Sequence, residues 1–122
     1  RLRLSPYLGA FWLGLNTTQP PRKDAPRLRE GLSLAVDRDK LTRYITGFGE
    51  TPAYGIVPPG IPGYTPAQLH WTGWTQARRE ARAKALYRAA GYSDANPLTI
   101  ELRYNTSTPH RRMALSLAAM WR

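Results

Sequence analysis

Apolar and polar residues alternate over Leu98–Arg103, with Leu98, Ile100 and Leu102 on one face and Thr99, Glu101 and Arg103 on the other. That period of two predicts a half-buried strand. Tyr104-Asn105-Thr106-Ser107 interrupts it with turn formers. Beyond the turn, Met113, Leu117, Met120 and Trp121 recur at helical spacing. They predict an amphipathic helix with Thr108 as its N-cap and Pro109 at its first position. Residues 6–16, PYLGAFWLGLN, are almost all apolar and read as a buried strand. Gly9 and Gly14 within it mark a bulge or a close backbone approach.

The stretch between these two is mainly helical by pattern. Thr17–Lys23 is a loop around Pro20-Pro21. Asp24 is placed to cap a helix of about 12 residues from Ala25, with Leu28, Leu32, Ala35 and Val36 on one face. Asp37 re-caps the chain, Arg38–Ile45 continues as a short helix, and Gly47 and Gly49 end it. Glu50–Pro66 holds five prolines and three glycines yet is apolar, so a loop over 50–74 packed against the rest is expected. Thr75 caps a strong helix, QARREARAKALYRAA, whose small face is Ala77, Ala81, Ala85 and Ala89, widened by Leu86, and Gly91 ends it.

The order strand, helix, helix, loop, helix, strand, helix is a mixed α/β (α+β) pattern. Two strands are too few for a full doubly wound sheet, so residues 1–122 are expected to be one partial domain of a longer parent. The start at Arg1 and the stop at Trp121-Arg122, in mid-helix by pattern, fit that expectation.

Composition narrows the classes. The 122 residues contain no cysteine, which removes disulfides and thiolate sites, and no apolar run of about 18 residues suited to a membrane span. The net charge of +10 raises nucleic acid as a partner. However, the basic residues are scattered, mostly through Arg1–Arg3, Arg22–Arg29, Arg38–Arg43, Arg78–Arg88 and Arg111–Arg112, with no single long run, as a solvated surface would have them. No RNP-like, zinc-finger or helix-turn-helix pattern accompanies them.

Three basic residues, His110, Arg111 and Arg112, stand in the first turn of the last helix, where they oppose the macrodipole. An anion held there by N–H donors and by His110 with Arg111 would compensate, and a carboxylate or phosphate is the natural guest. His70 lies beside Trp71 and reads as a surface or packing residue. No metal site is expected from two histidines 40 residues apart without paired carboxylates. Ser107 and His110 do not make a nucleophile–base pair, because capping explains their spacing. Gly47-Phe48-Gly49 ends a helix and so fails as a phosphate loop. The aromatics Tyr7, Phe11, Trp12, Tyr54, Tyr64, Trp71, Trp74 and Tyr104 exceed what a small core takes, and some of them suit a pocket wall.

Five motifs follow in order: PYLGAFWLGLNTTQPP, LREGLSLAVDRDKL, GETPAYGIVPPGIPGY, WTQARREARAKALYRAAGY and LTIELRYNTSTPHRRMALSLAAMW. Together they resemble the oligopeptide-binding proteins of bacterial ABC importers, extracytoplasmic solute receptors of family 5. The resemblance implies a fragment of a two-lobed, type II periplasmic-binding-protein-like fold, namely the first part of the second lobe. It implies no catalysis and no cofactor. It implies a peptide ligand enclosed between lobes, a membrane permease as partner, and a periplasmic or other extracytoplasmic location. By the same resemblance His110 lies near the ligand's C-terminal end, and Tyr7 and Trp12 sit on a strand facing the cleft. With Tyr104 and Arg111 these are the candidate ligand contacts. Thr46 and Gly14 fall where relatives can carry a lysine and an acidic residue, which leaves the solute open: a dipeptide, a cell-wall peptide, a metal chelate or a sugar. A basic nucleic-acid-binding module is the rival from another class. The isolated segment is expected to self-associate through uncovered apolar faces.

Overall fold

A computed structural model describes residues 3–5 and 7–122. Arg1 and Leu2, in the first basic cluster, and Pro6, the first residue of the expected strand, lie outside the described residues. The regular elements are α1 (Pro26–Leu34), α2 (Arg38–Lys40) running into a π-helical segment (Leu41–Thr46), α3 (Gln76–Ala89) and α4 (Thr108–Met120). Helix α1 packs on α3, and α4 packs on the π-helical segment.

The caps are partly those the sequence implies. The Asp37 side chain accepts the Lys40 N–H, and the Thr75 side chain accepts that of Arg78. Asp24 does not cap α1. It sits at φ +53°, and Ala25 takes the cap position without a side-chain bond, leaving Pro26 to open the helix. Helix α1 stops at Leu34, short of the expected length, because Arg38 takes its terminal acceptors. The Arg38 Nη1 donates to the carbonyls of Ser33 (2.9 Å) and Val36 (3.3 Å). Gly47, at φ +68°, closes the π-helical segment by donating its N–H to the Thr42 carbonyl.

Neither expected strand forms a ladder. Among the described residues the only bridge is the isolated pair Ser93 and Asn96. Leu98, Ile100 and Leu102 are half-buried while Thr99, Glu101 and Arg103 are exposed, so the alternation is present without a partner backbone. Residues 7–16 are not buried: Phe11 and Trp12 are exposed. The glycines there make room for neighbouring rings. A Cβ on Gly14 would stand 3.1 Å from the Trp12 ring, and one on Gly9 would collide with Tyr7. Within the described residues the mixed α/β class is therefore not realised, since the elements are helices and irregular chain.

The core gathers Leu34, Trp71, Ala83 and Leu86, with Ala35, Tyr54 and Trp74 packed against it. Helix α3 does not bury the alanine face. Ala77, Ala81, Ala85 and Ala89 are exposed, and Arg79, Ala83 and Leu86 face inward. The close approach comes from α1 instead, where a Cβ on Gly31 would lie 3.3 Å from the Leu86 Cβ.

Arg79 is only 5% exposed and forms no ion pair among the described residues. Its Nη1 donates to the Tyr54 hydroxyl and its Nη2 to the Thr72 carbonyl, both at 2.8 Å. Its guanidinium also lies 4.7 Å from the Tyr54 ring centre and 5.6 Å from that of Trp71. Arg38 approaches the same two rings, at 5.3 and 4.9 Å, and donates Nε to the Ala53 carbonyl. Burial pushes the Arg38 guanidinium down from its usual range, Tyr54 pulls the other way, and the like charge of Arg79 adds to the fall. Tyr54 and Trp71, edge to face at 5.9 Å, thus sit with two guanidinium groups and tie the proline-rich loop to α1 and α3.

Trp71 is 1% exposed. Removing about 150–250 Å² of such a ring from water contributes about 4–6 kcal/mol. Trp71→Ala should cost about 3–5 kcal/mol in denaturant unfolding, whereas exposed Trp12→Ala should stay within about 0.5 kcal/mol. Equal effects at the two sites would contradict this core.

Candidate functional site

An open groove of about 640 Å³ lies between two extended segments and α4. Residues 11–16 form one wall and 100–105 the other, and α4 forms the floor with His110, Met113, Ala114, Leu117 and Trp121. Local rules place each part. Tyr87 anchors the second wall by accepting the Leu98 N–H at its hydroxyl (3.1 Å). Trp121 fixes the far end of the floor by donating Nε1 to the Leu32 carbonyl of α1 (2.9 Å). Residues 110, 113, 114, 117 and 121 share one helical face, so the floor is apolar except at its head, where His110 stands.

Helix α4 begins one residue earlier than expected. Ser107, not Thr108, is the N-cap, and its Oγ accepts the His110 N–H at 3.3 Å. Pro109 then falls within the first turn, where it is equally tolerated. This cap changes the expected anion site. Ser107 takes the His110 and Arg111 N–H groups and Pro109 has none. Thr108 is left as the one first-turn N–H without an acceptor among the described residues. This end therefore offers no row of free backbone donors, and the polar side chain on the helical floor is that of His110.

Trp12, Tyr104 and His110 line the groove together. Tyr7, 87% exposed, and Arg111, also exposed, lie off its lining. One helical step of about 100° carries Arg111 away from the face that His110 occupies. The Phe11 ring is tilted against the His110 ring at 5.5 Å. Asn105, which the sequence marks only as a turn former, touches the imidazole directly: its Oδ1 lies 2.6 Å from His110 Nδ1 and accepts the Ser107 N–H at 3.2 Å. An asparagine two residues before a serine cap is the signal that identifies such a turn. His70 pairs with Glu30 at 3.4 Å on the surface, edge-on to Trp74, away from the groove. No group of three or more metal-ligating side chains occurs among the described residues, and no helix there is long and apolar enough to cross a membrane.

The chain belongs to the bacterial extracellular solute-binding proteins, family 5, whose middle-region profile matches residues 2–122. It is 38% identical over 121 residues to the periplasmic oligopeptide-binding protein OppA of Escherichia coli (strain K12), covering 99% of this chain and 22% of that protein. The fold superposes with a TM-score of 0.81 on the murein tripeptide binding protein MppA of Escherichia coli, at 39% identity over 87% of this chain and 21% of that one. Burkholderia pseudomallei OppA gives a TM-score of 0.80 at 45% identity, over 88% and 21% of the two chains. The chain thus spans about a fifth of the length of these relatives.

Glu101 and Arg103 form a two-bond ion pair on the groove rim (2.8 and 3.2 Å). The hydrogen bond from Arg103, helped by its charge, holds the Glu101 carboxyl below the usual glutamate range. A carboxyl depressed in the folded state supports folding above its unfolded pKa, and that support is lost as pH falls through the folded value. The Glu101 carboxyl should titrate below a free glutamate in an NMR pH series, and Arg103→Ala should raise its midpoint. An unchanged midpoint would show that the pair does not hold in solution.

Proposed function

We propose that this chain is the first part of the second lobe of a peptide receptor serving an ABC importer, working in the periplasm or another extracytoplasmic space. The receptor closes two lobes on an oligopeptide and hands it to the permease. It performs no reaction on the peptide and needs no cofactor or metal. The lobe's remaining strands come from elsewhere in the parent and pair with the open backbone edges at 7–16 and 98–104. Without them the isolated chain leaves Phe11, Trp12, Phe48 and Ile56 uncovered and is expected to self-associate.

The observation that carries this reading is the groove itself. An apolar floor and aromatic walls suit side chains of many kinds, and a single imidazole at the floor's head suits one fixed group. A peptide's constant feature at an end is its terminal charge. His110 receives the C-terminal carboxylate, while Trp12 and Tyr104 supply flat, sequence-tolerant contact. Apart from Arg38 and Arg79, which pack against Tyr54 and Trp71, the scattered basic residues are mostly solvated surface and bind no nucleic acid.

A charge-assisted hydrogen bond contributes about 1.5–3 kcal/mol. In the whole receptor, His110→Ala should weaken a free-acid peptide about 10–100-fold by calorimetry, and amidating the peptide's C-terminus should weaken wild type similarly. Equal affinity of wild type for the acid and the amide would remove the carboxylate role.

A further inference from the structure

We infer that Asn105 is a positioning residue that fixes the tautomer of His110, and so decides what the groove can hold at its head. The Ser107 N–H can only donate, so the Asn105 atom facing it at 3.2 Å is the amide oxygen. That same oxygen lies 2.6 Å from His110 Nδ1. Having two lone pairs, it accepts from both, and Nδ1 carries its proton whether the ring is neutral or charged. The His110 backbone N–H, bound to Ser107 Oγ at 3.3 Å, holds the residue at the third position of α4, and the Phe11 ring covers one side of the imidazole.

Nε2 is consequently the nitrogen left to meet a ligand. On the neutral ring it presents a lone pair, which rejects a carboxylate and accepts a donor. On the imidazolium it presents an N–H with a full charge, which binds a carboxylate. One asparagine thus makes anion capture at this point conditional on proton uptake at Nε2. Without it the neutral ring could place its proton on Nε2 and meet an anion uncharged. The other charged groups lining the groove are Arg22, Glu101 and Arg103, and the last two pair with each other. On α4 the next charges, Arg111 and Arg112, point out of the groove.

The identity of the anion rests on the peptide-receptor reading above, but the tautomer does not. Long-range ¹⁵N–¹H spectra of the imidazole in the whole receptor, at a pH where the ring is neutral, test it without any ligand. Wild type should show protonated Nδ1 and bare Nε2. Asn105→Ala should move the proton to Nε2, and Asn105→Asp, which keeps an acceptor, should restore the wild-type pattern. A wild-type ring protonated on Nε2, or the same tautomer in Asn105→Ala, overturns the inference. In the ligand arm, the affinity for a free-acid peptide should fall about tenfold between a pH at which the ring is charged and one at which it is neutral in wild type, and should depend less on pH in Asn105→Ala. A pH-independent affinity in wild type that also shows the Nδ1–H tautomer would refute the carboxylate reading and leave the role of Asn105 standing.

Discussion

Two arginines, neither ion-paired among the described residues, organise the core of this fold. Arg38 and Arg79 lie against the same two rings, Tyr54 and Trp71, and direct their N–H groups to Ala53, Ser33, Thr72 and the Tyr54 hydroxyl. A buried cation left bare would cost several kcal/mol, so each ring and carbonyl there has a defined partner to meet. The consequence spreads outward. Arg38 ends α1, Arg79 sets which face of α3 turns inward, and the two together order a loop whose prolines prevent regular structure. Trp121 then hangs α4 on α1 through the Leu32 carbonyl, and α4 carries the groove floor.

The groove combines two requirements usually met by different surfaces. Its floor is apolar below His110, and its walls mix apolar and aromatic side chains with polar and charged ones such as Asn16, Arg22 and Glu101. Its head is one imidazole whose protonated nitrogen is chosen by a neighbour. Beside His110 the described residues hold no group of three or more metal-ligating side chains.

Local signals were legible in the sequence, and tertiary ones were not. Asp37 and Thr75 cap their helices because capping depends on three or four neighbouring residues. Asp24 and Thr108 miss by a residue or more because Pro26 and Pro109 are tolerated at more than one position of a first turn. Helix α3 turns Leu86 inward, as its small face implies, but together with Ala83 and Arg79 in place of the spaced alanines, because here an arginine is buried against the π faces of two residues distant in the chain. The alternation at 98–103 survives as side-chain burial, but a ladder needs a second backbone, which no pattern within one segment supplies. Of the candidate contacts, Trp12, Tyr104 and His110 line the groove. Tyr7 and Arg111 lie off the groove for reasons of helix phase and exposure. Asn105 was missed because its role depends on a contact five residues ahead, across the start of a helix.

The central claim is that the parent molecule is a receptor for peptides. Mass spectrometry of whatever co-purifies with the whole protein from its native cells tests this most directly. A heterogeneous set of short peptides with free C-termini is predicted. A single non-peptide solute, or oligonucleotides, would contradict it.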